Sequence, residues 1–372
     1  MKKFVAIFLC ILLSALMLAS CGGDDYGKVP GHYPDAKEED DNIVVNLYMI
    51  YESESDAAAL NTVKDRFRER TSVKYGITVE LVFVSESEYE EKILDATKLN
   101  RDEDKVNVNI LLVNSTEVMG SLLDTNRLVD LSAFLFENAD RSNKDLVKKY
   151  GSLNEMSGKL IESIRAEDGS FYALPNNHII GEYEYLVINE EMAKQTLNYS
   201  NEILTGYKTY DDTKALRDDI MAYSEAKQLD LDPNDYVSRI YGPYHLKAEL
   251  ESAGNVCNII SYPQVTESEA YSSAFAIVDS GDAANAKAME IIYKLNTDKE
   301  LRDFLQYGVK GTTYNVDEDG NIVMIDGAEK KYRINLEYTG NVFIASYCKE
   351  IKWTKEIAAS GELQNAEAVV AH

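Results

Sequence analysis

An α/β fold in two domains is predicted for this chain by two observations. Strand-like and helix-like stretches alternate through the first third of the folded part, the pattern that builds a parallel sheet covered by helices. That folded part, residues 43–372, is about 330 residues long, more than one hydrophobic core serves well, so it divides. Taken in order, 43–50 is rich in β-branched and aromatic residues and is a strand, and Leu60, Val63 and Phe67 mark the buried face of a helix. A second strand follows at 77–84, a helix at 89–99 and a third strand at 106–113. Ligands of open sheets sit beyond the carboxyl ends of the strands, which here are 51–55 and 114–117. Further on, 185–188 and 274–278 are strands, and Ala288, Ile291, Ile292 and Leu295 at i, i+3, i+4 and i+7 form one helix face.

The N-terminus is a targeting segment. Lys2 and Lys3 precede an apolar run at 4–17, and Leu18, Ala19, Ser20 and Cys21 follow. The run is shorter than the ~20 residues that span a bilayer, and no basic cluster follows it. A secretory signal over 1–20 is therefore expected. Residues 21–42 are rich in Gly, Pro and charge and read as a flexible tether.

The chain holds 64 acidic against 38 basic side chains, a net charge of −26, and cleavage removes two of the basic ones. Such a surface repels nucleic acid, which is excluded as a partner. Cys10 leaves with the signal. Cys257 and Cys348 remain, and they either pair in an oxidising exterior or stay as isolated thiols.

Several stretches carry a family resemblance. Leu18 to Cys21 resembles the lipobox of bacterial lipoproteins, whose cysteine is diacylated. NILLVN at 109–114, LVDL at 128–131, DGSFYALP at 168–175, LVINEEM at 186–192 and KTYDD at 208–212 are similar to segments of the family 1 extracellular solute-binding proteins of ABC importers. AKAMEIIYKLNTDKELRDFLQYGVKGTTY at 286–314 resembles the signature of their lipoprotein branch, with Lys310 and Thr313 departing from its usual glutamate and histidine. The resemblance covers residues 43–325, with an unusually short stretch at 220–270.

It implies a two-lobe periplasmic-binding-protein-like fold of type II, each lobe a mixed sheet flanked by helices, with hinge crossings between them. Lobe one is expected at 43–177 plus 274–312 and lobe two at 178–273 plus 313–372. The crossings fall at 174–178 and 274–278. The implied function is capture of a small solute, an oligosaccharide first, for ABC permease subunits, by a monomer held through Cys21 on the outer face of the cell membrane. Closure on the ligand is the implied mechanism.

Ligand contacts are expected from Asn114, Asn176, Asn177, His178, Tyr183 and Tyr262, which fall at strand ends or crossings. Asn reads sugar hydroxyls, and tyrosine faces stack on sugar rings. For each, an ordinary loop or half-buried role is the competing interpretation. Asn315 to Asp326 fits the spacing of a calcium loop with Gly320 at its sixth position, but Asp319-Gly320 between two β-like triplets is better read as a hairpin turn. No G-x-S-x-G, H-E-x-x-H, C-x-x-C or phosphate loop is present. No catalytic residue, metal or cofactor is assigned. A surface lipoprotein that binds a peptide or protein, or a glycoside hydrolase on an atypical scaffold, is the alternative.

Overall fold

The computed structural model describes residues 43–98, 106–139, 143–166, 169–327 and 331–371. The signal segment, Cys21, the tether and Asp168 lie outside the described residues. Among the described residues no helix is long and apolar enough to cross a membrane.

The first lobe is built as its periodicity dictates. β1 (Ile43–Tyr51), α1 (Ala57–Tyr75), β2 (Thr78–Ser85), α2 (Glu86–Ala96) and β3 (Val106–Val113) alternate along the chain. β1 runs parallel to both β2 and β3, with Val45 opposite Val79 on one side and Val108 on the other. Asp56 caps α1 by accepting from the Ala58 and Ala59 N–H groups, and Gly76 ends it at φ 65°. α3 (Thr116–Leu123) starts on a Ser115 cap just past β3. After α4 (Ser152–Glu162) comes the two-residue β4 (Leu174–Pro175).

The second lobe follows. β5 (Tyr183–Asn189) leads through several helices, including α5 (Tyr210–Lys227), to β6 (Val237–Gly242) and then β7 (Asn255–Ser261). The order is β6-β5-β7, and β5 runs antiparallel to both neighbours. This sheet is antiparallel throughout where a mixed one was expected, and the chain between β5 and β7 supplies only one further strand, β6. Leu186 and Ile188 face Leu216 and Ile220 of α5, while Tyr183, Tyr185 and Val187 point to the other side with Cys257.

The chain then returns. β8 (Gln264–Val265) and α6 (Glu267–Tyr271) precede β9 (Ala274–Ile277), which inserts antiparallel between β3 and β4 to give the mixed order β2-β1-β3-β9-β4. The two stretches expected as crossings are thus neighbouring strands at one edge of the first sheet, and the chain crosses just beyond them. α7 (Asp282–Thr297) and α8 (Lys299–Tyr307) complete the first core.

β10 (Tyr314–Val316) and β11 (Ile322–Met324) form a hairpin, with Val316 opposite Ile322. Asp317 Oδ1 accepts the N–H groups of Asp319 at 3.0 Å and Asn321 at 2.8 Å, so its carboxylate organises the turn. Tyr332 and Ile334 join the first core. Finally α9 (Lys355–Glu367) runs into β12 (Val369–Val370), which pairs in parallel with β8. Cys257 and Cys348 are both free and buried, and they sit in separate small cores.

Candidate functional site at the lobe junction

Parallel registry brings the carboxyl ends of β1, β2 and β3 to one edge of the first sheet. The β1 end is already satisfied: Arg333 Nε lies 2.8 Å from Glu52 Oε2, and the Glu52 N–H donates to Arg333 O at 3.0 Å. At β2, the Ser85 hydroxyl donates to Glu88 at 2.8 Å. The β3 end differs. Asn114 hydrogen-bonds the Tyr338 side chain, whose hydroxyl pKa burial raises. Its Oδ1 is buried and has no hydrogen-bond partner among the described residues.

Beside this edge runs the outgoing crossing, 176–182. The Asn176 N–H donates to Ser273 O at 2.9 Å, and its Nδ2 donates to Ser273 Oγ at 2.9 Å and to Glu337 O at 3.1 Å. Ser273 Oγ donates to the same Glu337 carbonyl at 2.7 Å. The Asn177 carbonyl accepts from the Val342 N–H at 2.9 Å.

His178 is buried, with Nδ1 2.8 Å from Asn176 O and Nε2 3.5 Å from Glu269 Oε1. Burial alone lowers its pKa, but the hydrogen bond it donates to Glu269 and the charges of Glu337 and Glu269 outweigh it, so the net shift is upward. Burial likewise opposes ionisation of Glu269, yet His178 and the Gly181 N–H hold its pKa below the ordinary value. Glu337 is pushed up, by burial first.

α9 laces the crossing from the far side. Gln364 Nε2 donates to Ile180 O at 2.9 Å and Gly181 O at 2.6 Å, while its Oε1 accepts from the Tyr244 N–H at 2.9 Å. Asn365 accepts from the Ile180 N–H at 2.8 Å and donates to His178 O at 2.7 Å. The Tyr183 hydroxyl donates to Glu367 Oε2 at 2.7 Å, and burial and that carboxylate raise its pKa. Its ring centroid is 5.6 Å from Tyr185 and 5.9 Å from both Tyr244 and Tyr262. Tyr262 is 46 % exposed, at the rim of this tyrosine cluster.

The six residues expected at the site therefore separate by role. Asn176 and His178 are buried and lock the crossing, and Asn177 contributes its main chain. Tyr183 is the buried root of an aromatic stack whose open end is Tyr262. Asn114 stands at the β3 end and joins the rest through Tyr338 and the adjacent Glu337. Sequence reasoning missed Glu269, Ser273, Glu337, Gln364 and Glu367, which arrive from distant segments. One signal existed: Thr266 and Glu269 have capping-box spacing. Thr266 Oγ1 does accept from the Glu269 N–H at 3.1 Å, but the Glu269 carboxylate turns to Gly181, 2.9 Å away. Among the described residues no group of three or more His, Cys, Asp or Glu side chains is set to hold a metal ion.

No protein-family model matches the chain, and no curated protein matches it by sequence. Solved structures do match. The N-glycan transport solute-binding protein of Streptococcus pneumoniae, in complex with Man1GlcNAc, superposes with a TM-score of 0.52 at 15% identity, over 88% of this chain and 84% of that one. A second structure of the same protein gives a TM-score of 0.53 at 14% identity, over 88% and 83%. The fold is that of the two-lobe solute-binding proteins.

Proposed function

We propose that the chain is the solute-capturing subunit of an ABC importer, tethered by lipid at Cys21 on the outer face of the cell membrane and acting as a monomer without catalysing a reaction. The solute is an oligosaccharide. It enters between the β3 end and the Tyr262 rim, and the lobes close over it as the bound form is selected. The observation that carries this is the unpaired Asn114 Oδ1. Leaving such an oxygen buried costs about 1–3 kcal/mol, which a ligand hydroxyl donating to it would return. The exposed Tyr262 face supplies the stacking surface that a sugar ring needs. Asn176, Asn177, His178 and Tyr183 frame the site from behind. The shared fold with a protein solved bound to Man1GlcNAc supports the same reading.

Thermal melting against a panel of neutral oligosaccharides and peptides tests it, since a ligand of the folded state raises the melting point by RT ln(1 + [L]/Kd). A rise with one oligosaccharide, unaccompanied by cleavage, is expected. Hydrolysis of that saccharide, or a rise with peptides alone, contradicts the proposal. Loss of palmitate labelling and of membrane retention in Cys21→Ser tests the anchor.

A further inference from the structure

We propose that the groove between α5 and β6, on the second lobe, is a separate carbohydrate site selective for sugars that carry a carboxylate. Side chains directly opposite each other in an antiparallel pair share a face. Glu184 is opposite Tyr241, and Arg239 is opposite Leu186. Alternation along β5 puts Glu184 with Leu186 and Ile188, so all of these rise on the α5 side. Glu184 is 1% exposed and lies under the groove. The Tyr210 hydroxyl donates to it, and Arg239 Nη1 lies 3.3 Å from Oε1. Arg239 in turn sits over the Tyr210 ring, 5.1 Å from its centroid. The buried carboxylate thereby fixes an aromatic ring and a guanidinium that are otherwise open to solvent.

The groove holds about 600 Å³, and its lining includes Tyr210, Lys214, Arg217, Arg239 and Tyr241 but no carboxylate. Tyr210 is 52% and Tyr241 58% exposed. Glu184 neutralises Arg239, leaving Lys214 and Arg217 as net positive charge on a chain of net charge −26. Arg217 Nη2 is steadied by Asn234 Oδ1 at 3.0 Å. Two flat aromatic faces beside two cations match a uronic acid residue: the ring C–H face packs on tyrosine, and the carboxylate meets Lys214 and Arg217. The site shares no residue with the lobe junction.

Calorimetric titration with trigalacturonate tests this. Saturable binding is expected in the natural chain and in Asn114→Ala, which alters only the junction. It should weaken about tenfold or more in the Lys214→Glu/Arg217→Glu pair and for the carboxyl-reduced trimer, as loss of charge-assisted bonds requires. Lys214→Gln alone should weaken it less, and an unchanged melting temperature shows that both variants are folded. Absence of binding, equal binding of the reduced trimer, or binding lost in Asn114→Ala but kept in the double variant overturns the proposal.

Discussion

His178 Nε2 lies 3.5 Å from Glu269 Oε1, so a side chain from the outgoing crossing meets one from α6, the helix that precedes β9. The pair gives the junction a pH window. His178 has a raised pKa, so its contribution is full below the ordinary histidine value of about 6.5 and fades as pH rises through the folded value. Glu269 has a lowered pKa, so its contribution is full above about 4.5 and fades as pH falls through its folded value. The melting-temperature difference between the natural chain and His178→Gln should be largest between about pH 4.5 and 6.5, where it reflects roughly 1–2 kcal/mol. A flat difference across pH 4 to 9 contradicts the pairing.

Gln364 satisfies two carbonyls and one N–H, at Ile180, Gly181 and Tyr244. Gln364→Ala leaves three main-chain groups unpaired, one buried and two part-buried, and should cost about 3 kcal/mol in urea unfolding. Gln364→Glu keeps the acceptor but loses both donated bonds, and a stability equal to the natural chain would refute the role.

Gly340 lies at φ 107°, and a Cβ there would stand 2.3 Å from the Leu295 carbonyl oxygen. Its close approach seats the turn bearing Glu337 and Tyr338 on α7. Gly340→Ala should therefore destabilise by about 2–4 kcal/mol. It should also weaken saccharide binding, measured by calorimetry, because Asn114 loses the Tyr338 that orients it.

Asn114→Ala and Tyr262→Ala should each raise the saccharide Kd about tenfold or more while moving the melting temperature little, since neither supports the core. Unchanged affinity in both variants removes these residues from the site.

Much of the first lobe was legible because local pattern and global fold agree there. β3 spans the predicted 106–113, and Leu60, Val63 and Phe67 are the buried face of α1. The apolar spacing of Ala288 to Leu295 likewise marks the face of α7 against β1 and β3. The Asp319-Gly320 turn was recognisable because Asp-Gly sits between two strand-like triplets, 314–316 and 322–324, which pair as a hairpin. The junction was less legible. Asn176 and His178 stand out in the sequence as polar residues beside a strand, but their partners Ser273, Glu269 and Glu337 lie 90 or more positions away, and nothing local announces such pairings. Tyrosine gives no clue either, since Tyr183 is fully buried and Tyr262 half-exposed though both touch the same stack.

The central claim is that the two lobes close over a captured solute. Spin labels at Asp65→Cys on α1 and Glu225→Cys on α5 occupy exposed positions on opposite lobes. Cys257 and Cys348 will not compete for label, because burial raises both thiols to about 11. Pulsed dipolar distances should shorten by several ångströms and narrow when the oligosaccharide that raises the melting point is added. An unchanged distribution at saturating saccharide would contradict closure.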